Sequence, residues 1–422
     1  MAVTVATLLH LSDNLSLAEP EPTSILSDIS MLDTSGALGN SSADGHPRNP
    51  FIQPWYIQLF YIVAFVSMVI VATGGNIIVI WIVLAHKRMR TVTNYFLVNL
   101  AIADTLISVF NTVFNSVYML YSDWPFGRSY CKFNMFIAPC TISASVFTFM
   151  AIAVDRYVAI LHPLRLRMRA GTVFAVIIVI WIASFLVAFP NLLYARTHTW
   201  YHNGAPWRTV CYILWPDGVN NKTDFIYSIF VMFVNYVIPL GALAGTYSRV
   251  GITLWGSKAI GEYTTTQQET INSKRRVVKM MIVVVVIFAV CWFPQHVFFL
   301  ISNQHREVAE SRCVQHVYLV IYWLAMSNSM YNPIIYCWMN NKFRKGFKYV
   351  FRWLPCVTWT HDDSLLLGGK NAVIRMSMTE TTRCPSERNG SFQGTLMTSS
   401  PSSGNYKNMI YSSVPRSTEH QL

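Results

Sequence analysis

The chain has 422 residues, of which 53% are hydrophobic and only 12% are charged, and its mean hydropathy is +0.36. Soluble domains carry about 25% charged residues, so this composition excludes an ordinary soluble protein. The net charge of +12 is concentrated in short segments beside apolar stretches, a distribution that does not suggest nucleic-acid binding.

Seven apolar stretches are each long enough to cross a bilayer, which takes about 20 residues in a helix. The loops between them are short, including a polar loop predicted from Trp255 to Lys274, so the sequence predicts one all-α bundle of seven transmembrane helices. The predicted spans are Trp55–Leu84, Tyr95–Leu120, Phe133–Leu161, Val173–Leu193, Phe225–Leu254, Val277–Ile301 and Val314–Trp338.

The basic residues predict the orientation of this bundle. They cluster after spans one, three and seven and before span six, and such clusters lie in the cytoplasm. The first fifty residues contain almost no Lys or Arg, which predicts an extracellular N-terminus. No cleavable signal peptide is visible, so span one is expected to act as the signal anchor. The clusters are Lys87, Arg88 and Arg90; Arg165, Arg167 and Arg169; Lys274, Arg275 and Arg276; and Lys342, Arg344, Lys345 and Lys348.

The composition of both ends predicts disorder. We expect an extracellular tail over residues 1–54 and a Ser/Thr-rich cytoplasmic tail over 357–422, on either side of a membrane domain over 55–356. The hydroxyls of the second tail are either simply solvated or phosphorylated to attract a partner. Three Asn-X-Ser/Thr triplets in predicted extracellular segments are candidate glycosylation acceptors: Asn14, Asn40 and Asn221.

Spans one and two carry polar residues at membrane depth. Asn76 in span one is expected to hydrogen-bond a neighbouring helix. Asp104 in span two is costly in a membrane, which indicates a functional site or else a structural acid that faces the bundle. Asn111 and Asn115 follow at seven and eleven residues, on roughly the same helical face. We expect this stripe to line a cavity, with helix–helix hydrogen bonding as the alternative.

Three cysteines lie at the predicted extracellular side, where disulfides persist: Cys131, Cys211 and Cys313. Counting does not decide their pairing. We favour Cys131–Cys211, because this bond would hold the long loop after span four over span three. Cys313 would then remain a free thiol.

Span three ends in Asp155, Arg156 and Tyr157, shortly before Pro163 stops the helix. The simpler interpretation of the acid–base pair is a helix end exposed to water and head groups. The alternative is a switch in which Asp155 holds Arg156 until activation.

Spans six and seven each contain a proline that is expected to kink the helix. In span six, Trp292 and His296 flank Pro294 and share a face. His296 is either a packed side chain or, above a buried Trp, a pocket residue.

Span seven carries polar residues around a second proline, in the series Asn328, Asn332, Pro333 and Tyr336. The segment Asn341–Leu354 then has an aromatic face and a basic face, which predicts an amphipathic helix on the inner leaflet. Cys356 follows it and is a candidate for palmitoylation.

These motifs occur together, one in each span, and in this combination the chain resembles a rhodopsin-like G-protein-coupled receptor over Trp55–Cys356. Longer strings narrow the resemblance, since residues 75–100, 279–285 and 323–336 look like the tachykinin receptors. The motifs are Gly75-Asn76, Asp104, Asp155-Arg156-Tyr157, Cys291-Trp292-Phe293-Pro294, Asn332-Pro333-Ile334-Ile335-Tyr336 and the pair Cys131 and Cys211.

The resemblance implies a plasma-membrane receptor, not an enzyme, for a short amidated neuropeptide. It implies coupling to heterotrimeric G proteins, usually of the type that activates phospholipase C and raises calcium, with arrestin and receptor kinases acting on the tail. The implied ligand-binding residues are Asn111, Asn115, Asn191, His296 and Tyr318. The implied switch residues are Asp155, Arg156, Tyr157, Trp292, Pro294, Asn332, Pro333 and Tyr336. The implied sodium pocket is Asp104, Ser145, Asn328 and Asn332, and no other cofactor is expected.

The chain departs from the vertebrate pattern at several positions. Asn134 and Ser228 stand where those receptors often have His, Asn191 replaces Gln, and Asp104 replaces the Glu of several members. An invertebrate tachykinin-related peptide therefore fits better than a substance-P-like one. Lys274 occupies the position of an acid that locks Arg156 in some relatives, so basal activity is expected.

Two alternatives remain beside this interpretation. One is a receptor for a different family of amidated neuropeptides. The other is a seven-span pump or channel of the retinal type, which needs a Schiff-base lysine in span seven, and residues 315–338 contain none. An intramembrane enzyme would need a catalytic or metal constellation, which one Asp and one His in separate spans do not supply.

Overall fold

The computed structural model describes residues 52–162, 164, 168–202, 205–218, 222–256, 265–305, 313–354 and 357. Seven long helices run through these residues, which confirms the predicted bundle. The helices are α1 Trp55–Ala85, α2 Val92–Tyr121, α3 Gly127–Leu161, α4 Ala170–Tyr194, α5 Lys222–Gly256, α6 Thr265–Gln304 and α7 Val314–Met339. The first six are long and apolar enough to cross a membrane, while α7 is comparably long but richer in polar residues.

Several helices extend beyond the apolar spans predicted for them. The clearest case is α6, which begins at Thr265, whereas the polar segment Trp255–Lys274 was predicted to be a loop. That prediction was wrong for its second half. Hydropathy marks only the part of a helix that is apolar enough for lipid, whereas Gln, Glu, Lys and Arg continue the same helix into water at little cost.

Two helices contain a π-turn, at Ser108–Thr112 in α2 and at Phe233–Val237 in α5. A π-turn adds a residue to one turn, so the side chains beyond it are rotated relative to a regular helix. The regular spacing used to place Asn111 and Asn115 on the face of Asp104 therefore does not apply, because Asn111 lies within the first of these turns and Asn115 lies beyond it.

Helices α1 and α7 approach each other closely at Gly75. A Cβ atom built there would lie 2.7 Å from Cγ of Pro333, so only glycine fits without movement. One residue later, Asn76 donates from Nδ2 to the carbonyl oxygen of Ser329 at 2.9 Å. The predicted interhelical role of Asn76 is confirmed.

A β-hairpin covers one end of the bundle and consists of β1 Ala195–His202 and β2 Ala205–Ile213. We call this the outer end, because the sequence predicts it to be extracellular, and the opposite end the inner end. The sequence analysis treated this region only as a long loop, although β-branched and aromatic residues flank an Asn-Gly pair, which is a hairpin signal. A disulfide joins Cys131 of α3 to Cys211 of β2 and confirms the favoured pairing. Cys313 is exposed and is not disulfide-bonded.

After α7 a short helix, α8 Asn341–Val350, folds back against α1 and confirms the predicted amphipathic segment. Phe343 and Phe347 are its buried aromatic residues. Gly346 permits the contact with α1, since a Cβ atom there would lie 2.6 Å from Cδ1 of Ile82. The candidate modification sites Asn14, Asn40, Asn221 and Cys356 lie outside the described residues.

The contact at Gly75 generates a stability prediction. We expect Gly75→Ala to lower the unfolding temperature of the purified protein in detergent, because the new methyl group meets a proline ring that cannot rotate away. Overpacking of this kind costs about 1–3 kcal/mol. The matched control is Gly74→Ala, where a Cβ atom would meet nothing within 4 Å. Equal unfolding temperatures for both variants would contradict the tight packing.

Candidate functional site

Asp104 lies at the centre of a buried polar cluster that joins three helices. Its carboxylate accepts hydrogen bonds from Nδ2 of Asn332 at 2.7 Å, from Oγ of Ser329 at 3.3 Å and from Oγ of Ser145 at 3.4 Å. The structure thus brings together Asp104, Ser145 and Asn332, as the resemblance implied. Ser329 is a partner that the sequence analysis did not single out.

Asn328, the remaining residue of the expected cluster, behaves differently. Its side chain is buried, and its Oδ1 atom has no hydrogen-bond partner among the described residues. The lipid core of a bilayer supplies no hydrogen-bond partners, so a buried acceptor at that depth must find its partner inside the protein. Asn328 therefore leaves an oxygen available on the turn of α7 that precedes Asn332.

Three asparagines and a tyrosine form a closed ring of hydrogen bonds nearer the outer end. The hydroxyl of Tyr322 donates to Oδ1 of Asn111 at 2.9 Å, and Nδ2 of Asn111 donates to Oδ1 of Asn134 at 3.2 Å. Nδ2 of Asn134 donates to Oδ1 of Asn115 at 2.9 Å, and Nδ2 of Asn115 donates back to the Tyr322 hydroxyl at 3.3 Å. We call these four residues the carboxamide ring; they link α2, α3 and α7.

The carboxamide ring shows how the polar stripe of α2 is used in this structure. Asn111 is 1% exposed and Asn115 is 5% exposed, so neither lines an open cavity. The stripe was expected to line a cavity, with hydrogen bonding between helices as the alternative. In the structure both side chains form hydrogen bonds to neighbouring helices. The partners Asn134 and Tyr322 lie in other helices, and nothing in the spacing of α2 indicates them.

A separate pocket opens among α3, α4, α5 and α6 and contains two of the expected ligand residues, Asn191 and His296. Nδ2 of Asn191 donates to the Tyr227 hydroxyl at 2.9 Å, and its Oδ1 has no partner among the described residues. The pocket is lined by Pro139, Asn191, Asp224, Tyr227, Ser228, Val231, Met232, His296, Phe299 and Leu300.

Asp224 is the residue of this pocket that the sequence analysis missed. The predicted span five begins one residue later, at Phe225, but α5 begins at Lys222, and the Asp224 side chain is buried to 3% exposure. Nε1 of Trp215 donates to its carboxylate at 2.9 Å. The pocket therefore has one acidic wall, which no hydropathy pattern reveals.

Tyr318 lies between the pocket and the carboxamide ring. Its side chain is 4% exposed, and its ring stacks on that of Tyr322 with centroids 6.0 Å apart. On its other side it contacts Phe299, which lines the pocket, at 6.4 Å. A movement of Phe299 in the pocket or of Tyr322 in the carboxamide ring would therefore displace Tyr318 and so affect the other of the two sites.

An aromatic column continues from the pocket toward the inner half of the bundle. The ring centroids of His296 and Trp292 are 6.3 Å apart, as are those of Trp292 and Phe288. Phe288 contacts Phe149 of α3 at 5.8 Å. Helix α6 continues through Pro294. The nitrogen of a proline has no hydrogen to donate, so α6 lacks one backbone hydrogen bond beside this column.

At the inner end of α3, Asp155 and Arg156 form an ion pair with an N–O distance of 2.5 Å. The hydroxyl of Thr93 in α2 donates to Oδ2 of the same carboxylate at 2.8 Å and also accepts a hydrogen bond from Arg156. Within the described residues, Arg156 makes no ion pair with α6. The pair is thus tied to α2.

Tyr157 and Tyr336 complete the inner end. The ring of Tyr157 lies 6.1 Å from His162, near the end of α3. Tyr336 is 2% exposed, packs against Phe343 of α8 at 5.7 Å and, with Tyr247 of α5, lines an apolar cavity against α6. Pro333 packs on Gly75, so the polar end of α7 is held by both α1 and α8.

Comparisons with known proteins agree with this arrangement. Residues 75–336 match the family described as 7 transmembrane receptor (rhodopsin family). The chain is 52% identical over 305 residues to the Tachykinin-like peptides receptor 99D of Drosophila melanogaster, covering 72% of this chain and 59% of the relative. It is 47% identical over 306 residues to the Tachykinin-like peptides receptor 86C of the same organism, covering 72% and 61%. It is 46% identical over 354 residues to the Neuromedin-K receptor of Homo sapiens, covering 80% and 74%. The aligned part spans about three fifths of each Drosophila relative.

The carboxamide ring generates a second stability prediction. We expect Tyr322→Phe to lower the unfolding temperature, because it removes the hydroxyl that bonds both Asn111 and Asn115. Leaving a buried polar group without a partner costs about 1–3 kcal/mol. The control is Tyr331→Phe in the same helix, since Tyr331 has no hydrogen bond among the described residues. The ring would be of no consequence for stability if both variants unfolded at the wild-type temperature.

Proposed function

We propose that this chain, which belongs to the rhodopsin family of seven-transmembrane receptors, is a receptor for a short amidated tachykinin-like peptide that signals through heterotrimeric G proteins. A member of this family is a multi-pass protein of the plasma membrane and a receptor, not an enzyme. The names of its relatives support the peptide class. The departures at Asn134, Ser228 and Asn191 favour an invertebrate tachykinin-related peptide over a substance-P-like one.

The carboxamide ring is the observation that carries the proposal. An amidated peptide ends in a carboxamide, which has the same donors and acceptors as an asparagine side chain. Such an end can replace one partner of Asn111 or Asn115 and leave no buried group unsatisfied, whereas a free carboxylate lacks the donors. The cost of an unpaired buried group therefore favours amidated over acid-ended peptides.

The outer pocket supplies the remaining ligand contacts in this proposal. Asn191 has an unpaired amide oxygen, and His296 of α6 and Asp224 of α5 line the same pocket. With the peptide end at the carboxamide ring, Tyr318 contacts it from the side and the preceding peptide residues occupy the pocket. The proposed ligand-binding residues are Asn111, Asn115, Asn191, His296 and Tyr318.

Activation is a shift between two populations of the bundle. A bound peptide displaces His296 and Trp292, and the part of α6 below Pro294 swings outward. An agonist must bind the active state about 5.5 kcal/mol more tightly than the inactive state to raise the population of the active state from 1% to 99%. A nanomolar peptide binds with about 12 kcal/mol, so enough binding free energy is available.

The inner end transmits this shift to the G protein. In the inactive state Asp155 holds Arg156, and the α7 residues Asn332, Pro333 and Tyr336 hold the adjoining part of the bundle. Release of Arg156 and Tyr157 opens the surface that the G protein contacts. Because Lys274 stands at the foot of α6 where an acid would form a second lock, the holding interaction is weak and basal activity results.

A sodium ion would fit the cluster around Asp104 as an allosteric modulator. Sodium prefers oxygen ligands, and the carboxylate of Asp104 and the hydroxyl of Ser145 lie together in the cluster. The unpaired Oδ1 of Asn328, on the same helix as Asn332, is a further candidate ligand. These residues, with Asn332, would hold the ion in the inactive state. There it would supply a positive charge opposite the buried carboxylate.

Further features of the receptor follow from its family and from the sequence. They are an extracellular tail over 1–54, a receptor domain over 55–356 and a cytoplasmic tail over 357–422 on which receptor kinases and arrestin act. Glycosylation at Asn14, Asn40 and Asn221 is consistent with an extracellular N-terminus. Palmitoylation at Cys356 would hold the end of α8 at the membrane lipid.

A calcium assay tests the proposal. In cells that express the chain, we expect a nanomolar calcium response to a tachykinin-related peptide amide from a panel of amidated neuropeptides. The response should shift at least about tenfold to higher concentration when the peptide acid replaces the amide, or with Asn111→Ala or His296→Ala, since each change removes about 1.4 kcal/mol or more.

Surface expression, measured on an N-terminal epitope, is the control for these variants. A response only to another amidated family would leave the receptor assignment intact and overturn the tachykinin part. An unchanged response to the peptide acid would overturn the role given to the carboxamide ring.

The Thr93 hydroxyl provides a separate test of the inner lock. We expect Thr93→Ala to raise the basal second-messenger signal by up to about fivefold, because it removes a hydrogen bond worth about 1 kcal/mol from Asp155 and Arg156. The control is Thr246→Ala, whose exposed hydroxyl bonds only the Ala242 carbonyl of its own helix. A wild-type basal signal equal to that of empty cells would contradict the weak lock.

A further inference from the structure

A groove lies on the outside of the bundle, between the inner half of α1 and the end of α8. It plays no part in the ligand site, the aromatic column or the lock at Arg156. Most of its wall is apolar, and two of its tryptophans are exposed, Trp81 by 41% and Trp353 by 73%. The groove is lined by Ile77, Ile78, Trp81, Tyr349, Val350, Arg352 and Trp353.

The floor of the groove is an ordered aromatic stack. The rings of Trp81 and Tyr349 lie 5.8 Å apart and are nearly parallel, at 11°. His86 meets Trp81 edge-on at 5.4 Å. The Arg352 guanidinium lies 4.7 Å from the centre of the Tyr349 ring. A cation–π contact of this kind holds Arg352 at the rim without neutralising its charge.

Arg352 is the basic residue that lines the groove, and the chain segments on either side of it are strongly basic. The segment 341–354 carries Lys342, Arg344, Lys345, Lys348 and Arg352 and no Asp or Glu, and α1 is followed directly by Lys87, Arg88 and Arg90. No carboxylate of the described residues lies within ion-pair distance of Arg352. An apolar wall that ends in an uncompensated guanidinium matches a molecule with an acyl chain and an anionic head.

We propose that this groove binds one anionic phospholipid, with its phosphate at Arg352 and an acyl chain along Ile77, Ile78 and Trp81. Basic pockets beside membrane helices recognise anionic head groups in this way. A free phosphate would use only the rim and leave the apolar wall exposed. The bound lipid would bridge α1 and α8 beside the close contact of Gly346 with Ile82. This site is independent of the peptide and of the G protein.

Native mass spectrometry of the purified full-length chain tests the site. With phosphatidylglycerol added, we expect one lipid molecule per chain to stay bound after the detergent is removed in the gas phase. With phosphatidylcholine added instead, we expect the chain to appear without bound lipid. Arg352→Gln should weaken phosphatidylglycerol binding at least about fivefold, which corresponds to one cation near an anionic head group. Trp353→Ser, at an exposed position, should weaken it as well, because it removes part of the apolar wall.

The matched control is Lys342→Gln, which removes the same charge at an exposed position at the other end of α8, outside the groove. Lipid-free unfolding temperatures establish that all variants are folded. Equal losses for Arg352→Gln and Lys342→Gln would indicate diffuse attraction and overturn the site. Displacement of the lipid by millimolar inorganic phosphate would show that the acyl chain contributes nothing, which also overturns it.

Discussion

The constraint on which this structure depends is that a polar group at membrane depth must find its partner within the protein. Asn76 joins α1 to α7, and the Asp104 cluster joins α2 to α3 and α7. Asn99 of α2 donates to Thr148 of α3 at 2.8 Å and accepts from Trp181 of α4 at 2.8 Å. Apolar side chains pack against lipid tails as well as against each other, so these few bonds help to fix how α1, α2, α3, α4 and α7 are arranged.

The same constraint explains how a bundle held by polar contacts can still change state. The carboxamide ring uses only part of the capacity of its three amides, since each amide has two N–H donors and two acceptor lone pairs. A ligand of matching chemistry can therefore exchange with an internal partner at little cost. At the inner end, Thr93 shares Asp155 with Arg156, so releasing the guanidinium leaves the carboxylate with one donor.

The outer and inner ends are connected by packing rather than by a continuous polar chain. Tyr318 joins the carboxamide ring to the pocket, and His296, Trp292 and Phe288 lead from the pocket toward Phe149. Close-packed rings can adopt only a few packing arrangements. A small displacement of the ring at one end therefore favours a different packing arrangement of the whole column. Pro294 lies beside this column, where the backbone of α6 lacks one hydrogen bond.

The sequence by itself determined the seven helices, the amphipathic α8 and the need of Asn76 for a partner in another helix, whereas it only favoured the disulfide between Cys131 and Cys211. Those features depend on hydropathy, on charge distribution and on motifs within single segments. Only the tertiary structure decided that Asn111 and Asn115 face Asn134 and Tyr322 in a closed ring, that Ser329 bonds Asp104, and that Asp224 is buried in the outer pocket. The physical reason is that each depends on where another part of the chain lies, and the placement of Asn111 and Asn115 depends also on the π-turn at Ser108–Thr112. A one-dimensional spacing contains neither.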